Sequence, residues 1–169
     1  MYVKIIAANI ETREVFMDDR EIASRLKGLA QLDIDAVHAY GQAIKHIDMP
    51  DVREHCTRFQ GDHERHVTDL SGIIRRLGEE PPEFSRDFKG FLLQGFTAIR
   101  GLTGTEGALK ALKTGEEMTN KKYSEALSWE MPLDIVSVIQ RNYEDEQRHL
   151  HYVNQAIDSR IWETAAAKK

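Results

Sequence analysis

The sequence predicts an all-α protein: an antiparallel four-helix bundle made from two copies of one helical hairpin. Three observations carry this reading. Four long segments repeat apolar residues at spacings of three and four, which places them on one face of a helix. The four prolines, at 50, 81, 82 and 132, fall between those segments, where a missing N–H costs least. A single offset of 83 residues carries the chemically distinctive residues of the first half onto those of the second.

The elements follow in order. Residues 1–18 read as an N-terminal arm, a short strand or irregular, because the stretch from Ile10 to Met17 fits neither period. Asp18 or Asp19 caps a first helix running to about residue 48, with the stripe Ile22, Leu26, Leu29, Val37, Tyr40, Ile44 and Ile47. Pro50 fits the first turn of a second helix with Asp48 ahead of it as the cap, and Gly78 fits its end. The stripe of this helix is Val52, Cys56, Phe59, Val67, Leu70, Ile74 and Leu77. The longer connection at 79–104 predicts a crossover holding a short extra helix over 86–101. A third helix is expected over about 105–130, carrying Leu109, Leu112, Thr119, Tyr123 and Leu127. Met131-Pro132 turns the chain into a fourth, ending near residue 163, with Ile135, Ile139, Tyr143, Leu150, Val153, Ile157 and Ile161. The bundle is thus expected over 19–163, followed by a frayed tail at 164–169.

Bulk properties narrow the function classes. A chain of 169 residues with 41% hydrophobic and 30% charged residues can build one domain with a real core. The net charge of -5 argues against nucleic acid as a partner. The most apolar internal stretch, 91–102, is short and broken by Gln94, Gly95 and Arg100, so no membrane span is expected. Cys56 is the single cysteine and no cleavage signature follows Met1, which together point to a cytoplasmic protein.

The offset of 83 pairs Asp33 with Glu116, Tyr40 with Tyr123, His63 with Glu146 and His66 with His149. It also pairs Asp62 with Asp145, Arg65 with Arg148, and Leu26, Lys27 and Leu29 with Leu109, Lys110 and Leu112. Three carboxylates and three imidazoles interrupt the apolar stripes: Asp33, His63, His66, Glu116, Glu146 and His149. Such groups are costly in a core unless paired or bound to a cation. Each helix supplies at least one near its middle, so all six can meet at one depth. His63-Glu-Arg-His66 and Glu146-Gln-Arg-His149 set two donors three residues apart, on one helical face. A metal site is therefore expected, with Tyr40 and Tyr123 close enough to hydrogen-bond its carboxylates. Asp35, Asp62, Glu64, Glu117, Asp145, His38, His46, His55 and His151 fall off the stripes and are expected in solvent, and Cys56 as a small core residue.

With these motifs in place, the sequence resembles the ferritin-like superfamily, including rubrerythrins and bacterioferritins, from about residue 20 to 160. Glu116-x6-Tyr123 with Glu146-Gln-Arg-His149 matches that family's pattern in full, and Asp33-x6-Tyr40 is a conservative variant. The segments around Asp33 and Asp62-His-Glu-Arg-His also look like a poorly characterised bacterial ferritin-like family. The resemblance implies two divalent metal ions, iron first with zinc and manganese as alternatives, and Fe(II) oxidation by dioxygen or peroxide. In that scheme Asp33 and Glu116 are terminal ligands, Glu146 bridges, His66 and His149 cap the metals, and His63 is an extra nitrogen ligand or a blocked bridge.

One departure matters: His63 stands where the family places a bridging glutamate. Asp62 or Glu64 could replace it only if the helix were rotated or bulged. The leading expectation is a di-iron protein; the alternatives are a non-catalytic bundle stabilised by zinc or a single metal, and an unmetallated module whose acids and histidines pair with one another. The 79–104 connection could supply homodimer contacts or cover an end of the bundle.

Overall fold

A computed structural model of the chain describes residues 17–84 and 103–166. The predicted arm before residue 17, the short helix at 86–101 and the last three residues lie outside the described residues. The described chain forms α1 (Asp19–His46), α2 (Pro50–Arg76), α3 (Gly104–Ala126), α4 (Leu133–Asp158) and a short α5 (Ile161–Ala166).

The helix ends follow local chemistry. The Asp18 carboxylate accepts the Glu21 N–H at 2.8 Å and satisfies one of the free donors at the start of α1. Asp48 does not cap α2. Met49 occupies the cap position without a side-chain bond, and the Asp48 backbone N–H donates to Thr105 Oγ1 at 3.0 Å, which ties the α1–α2 turn to the start of α3. Gly78, at φ +82°, ends α2 as expected, with its N–H on the Arg75 carbonyl and that of Glu79 on the Ile74 carbonyl. The fourth helix stops earlier than predicted: Arg160 takes φ +48° and separates α4 from α5. An apolar stripe that continues through Ile157 to Ile161 hides such a break, because the spacing survives it.

α1 packs against α2 and α3, and α3 against α4, while α2 and α4 approach each other less closely. α2 and α4 begin 83 residues apart, in agreement with the repeat. α1 and α3 run antiparallel, since Asp33 meets Tyr123 and Tyr40 meets Glu116. The apolar core lies in two parts. One contains Ile22, Leu26, Leu70, Ile74, Ile135 and Ile139; the other contains Ile47, Val52, Cys56, Phe59, Leu109 and Leu112. The repeat exchanges them, Leu26 for Leu109 and Ile139 for Cys56, so a pseudo-two-fold axis passes between the two ends. Each buried aliphatic side chain there contributes about 1.5–3 kcal/mol, which must offset the cost of a charged middle.

At its middle α1 is buried nearly all round, from Asp33 through Val37. Asp35 is therefore 6% exposed rather than solvated, and takes a hydrogen bond from Gln31 Nε2 at 3.1 Å. Burial raises its carboxyl above the ordinary range, against the opposing effect of that bond.

Candidate metal centre

Between the two apolar clusters the four long helices bring Asp33, His63, His66, Glu116, Glu146 and His149 together, each at most 1% exposed. They form two overlapping groups, Asp33–His63–His66–Glu146 and His63–Glu116–Glu146–His149. Within each group, one ligand atom per residue lies within 4.8 Å of the others. His63 and Glu146, related by the repeat, belong to both.

The carboxylates are held from across the bundle. Tyr123 Oη donates to Asp33 Oδ2 at 2.7 Å and Tyr40 Oη to Glu116 Oε1 at 2.6 Å. Each tyrosine thus serves the acid of the opposite helix, a consequence of α1 and α3 being antiparallel. Burial, and then the neighbouring carboxylate, holds both phenols well above their ordinary value, so they remain donors.

The histidines are held from outside. His66 Nε2 lies 3.3 Å from Asp145 Oδ2 and His149 Nε2 lies 3.0 Å from Asp62 Oδ2. With Nε2–H donated outward, Nδ1 of both rings faces the cluster, the arrangement by which a carboxylate orients a metal-binding imidazole. Asp145 and Asp62 are in turn bracketed by arginines from both helices: Arg65 reaches Asp62 at 3.1 Å and also Asp145, while Arg148 reaches Asp62 at 2.7 Å and also Asp145. Burial would raise both aspartyl groups, but the histidine bonds and the arginine charges hold them below the ordinary range.

Asp62 and Asp145, expected in solvent, therefore belong to the frame of the site, with side chains only 18% and 12% exposed. Their appearance in the 83-residue repeat was the signal that could have found them. Because α2 is regular through position 63, Asp62 does not enter the cluster in place of His63; its carboxylate faces His149 instead. Glu64, His38 and His55 are half-buried rather than solvated, whereas Glu117, His46 and His151 are exposed. Burial pushes the Cys56 thiol up to about 12, as befits a core residue.

Charge inside the cluster is unevenly distributed. Burial opposes ionisation of Asp33, yet hydrogen bonds to His63 and His66 keep its carboxyl below the ordinary value. Burial likewise disfavours the His63 imidazolium, but Glu146, Asp33 and Glu116 raise it well above the usual range, and His66 rises to about 10 through Asp145, Asp33 and Glu146. His149 is the exception: burial holds it below its ordinary value despite Asp62.

Four buried ligand atoms of the cluster make no well-formed hydrogen bond: both Glu146 oxygens, Glu116 Oε2 and His149 Nδ1. Of these, Glu146 Oε1 has ion-pair contacts with His66 Nδ1 at 3.2 Å and His63 Nδ1 at 3.3 Å, and Glu116 Oε2 a distant one with His149 Nδ1 at 3.8 Å. Buried acceptors without partners are costly, and a divalent cation is what this oxygen and nitrogen set would satisfy. The residues present fit metal ions. Beside His149, whose ring lies 4.3 Å from that of Phe59, a groove of about 590 Å³ opens between α2 and α4, lined by His55, Arg58, Phe59, Asp62, Arg148 and Tyr152 among others. No helix among the described residues is long and apolar enough to cross a membrane.

Comparison with known proteins agrees with this architecture. The chain is similar in structure to a ferritin-like, diiron-carboxylate protein from Bacillus anthracis str. Ames, with a TM-score of 0.64 over 83% of this chain and 97% of that one. At 15% identity the likeness speaks to the fold. No curated protein matches the chain. A family model described as a domain of unknown function, DUF2383, matches residues 21–128, from the first turn of α1 to just beyond α3. The chain belongs to the DUF2383 family and has a ferritin-like fold.

Proposed function

We propose that the protein binds two divalent metal ions, iron first, and that its chemistry is Fe(II) oxidation by dioxygen or peroxide. The observation that carries this reading is the pair of overlapping donor groups that share His63 and Glu146, with one oxygen of each of Glu116 and Glu146, Oε2 in both, left without a hydrogen bond. Asp33 and His66 would hold one ion, Glu116 and His149 the other. Bound Fe(II) would supply the electrons and the open coordination positions for the oxidant.

The chain's own residues do the remaining work. Tyr123 and Tyr40 fix the orientation of the Asp33 and Glu116 carboxylates. Asp145 and Asp62 hold the Nε2 protons of His66 and His149 and so present Nδ1 inward. The apolar clusters on either side exclude bulk water, which strengthens every charge interaction between them.

A second reading, a non-catalytic bundle stabilised by zinc, is favoured by one feature: three imidazoles suit zinc as well as iron. Elemental analysis of protein purified without a metal-affinity step, followed by anaerobic Fe(II) loading and admission of oxygen, separates the two. Two irons per chain with oxygen uptake and loss of Fe(II) is the expected result. Tightly held zinc with no oxygen uptake would support the second reading, and an intact fold retaining no metal would overturn both.

A further inference from the structure

His63 sits at the centre of the cluster, fully buried, with its two ring nitrogens on different sides. Nδ1 lies 3.0 Å from Asp33 Oδ1 and 3.3 Å from Glu146 Oε1. Nε2, on the far edge of the ring, lies 3.4 Å from Glu116 Oε1. One edge thus faces the group that contains Asp33 and His66, and the other faces the group that contains Glu116 and His149. The ring is also confined: Tyr40 lies 5.5 Å from it and His149 5.1 Å, centroid to centroid.

From this geometry, and resting on the two-metal reading above, we propose that His63 bridges the two metal positions, one ring nitrogen to each. A carboxylate directs its lone pairs toward one region and draws two ions together, whereas the lone pairs of an imidazole diverge. Two metal–nitrogen bonds of about 2 Å plus the width of the ring place the ions about 6 Å apart. Carboxylate- or water-bridged two-metal sites hold theirs about 3.5–4 Å apart. Glu146 Oε1 lies 3.3 Å from His63 Nδ1 and 3.2 Å from His66 Nδ1, so Glu146 would serve the ion held with Asp33 and leave the bridge to His63.

The charges balance under this arrangement. Asp33, Glu116 and Glu146 contribute three negative charges, while Asp62 and Asp145 are met by Arg65 and Arg148. Two divalent ions bring four positive charges. A ring with a metal on each nitrogen carries no proton and one negative charge, so the protons that the carboxylates hold on His63 in the metal-free cluster leave to solvent as the two ions bind, and the buried centre is then neutral.

The test is the separation of two Zn(II) ions, located by anomalous scattering in crystals of the zinc-loaded chain and checked in solution by X-ray absorption. The unaltered protein is expected to show two zinc ions about 6 Å apart with the His63 ring between them. The variant His63→Glu is expected to contract the pair to about 3.5–4 Å. A carboxylate-like separation in the unaltered chain, or a single zinc with His63 bonded only to carboxylates, would overturn the bridge while leaving metal binding intact. A correctly folded chain that takes up no zinc would overturn the metal reading as well, so the two failures are told apart.

Discussion

The two hairpins place their side chains alike and load them differently. In the α1–α2 hairpin, Asp33 faces three donors, Tyr123 at 2.7 Å, His63 at 3.0 Å and His66 at 3.3 Å. Its counterpart in the α3–α4 hairpin, Glu116, has Tyr40 at 2.6 Å and longer approaches from His63 at 3.4 Å and His149 at 3.8 Å. Glu146, which the repeat sets opposite His63, meets His63 and His66 through Oε1 alone, and the cluster atoms without a well-formed hydrogen bond all belong to the second hairpin. Phe59 lies against the His149 ring, whereas its counterpart Asn142 donates to Tyr123 Oη at 3.5 Å. The lesson is that a two-fold backbone need not give a two-fold field. The first hairpin satisfies its own acid with its own imidazoles, while the second presents lone pairs that call for a cation.

That contrast can be broken at several points. The largest effect is expected for Glu146→Ala, which removes a residue shared by both donor groups: metal retained after dialysis should fall to background. Glu64→Ala, which alters a residue of α2 outside both groups, should retain the full complement by the same elemental analysis. Equal losses in both variants would show that the helix faces are misassigned.

The next effect concerns stability. Asp33→Ala strands Tyr123, His63 and His66 in a dry interior and should cost about 3–5 kcal/mol in urea unfolding of the chelator-treated protein. Glu116→Ala strands chiefly Tyr40 and should cost about 1.5–3 kcal/mol. The reverse order would mean that the loads on the two hairpins have been read the wrong way round.

Smaller changes sharpen the outer frame. Asp145→Asn and Asp62→Asn weaken the grip on His66 and His149, and each should lower metal affinity about 10–100-fold in a competition titration. Asp145 is the more enclosed and should show the larger loss. Tyr40→Phe and Tyr123→Phe each delete one hydrogen bond to a carboxylate and should cost about 1–2 kcal/mol in the same urea assay. A negligible cost for both would show that the tyrosines fill space without orienting the acids.

Much of this was legible in the sequence because a helix converts spacing into position. Spacings of three and four put Asp33, His63, His66, Glu116, Glu146 and His149 on inward faces, and the repeat put them at one depth. Asp145 and Asp35 are buried and Asp62 is half-buried, against the expectation from the stripes, because a stripe divides a helix into inside and outside, whereas a real helix has flanks. Asp62 and Asp145 lie on flanks that face each other across the α2–α4 gap, and Asp35 lies on the far side of a helix buried nearly all round. The break at Arg160 was invisible for a related reason: hydrophobic spacing records which residues are buried and not the backbone angle between them.

By itself, then, the sequence determined the four helices, the hairpin repeat and the six residues that meet in the core, since all of these follow from periodicity along one chain. Only the tertiary structure decided which partner each residue meets. Tyr123 serves Asp33 and Tyr40 serves Glu116 because α1 and α3 are antiparallel, Asp62 orients His149 from across a gap, and His63 turns one nitrogen to each side. These are relations between helices, and periodicity within one helix carries no information about the orientation of its neighbour.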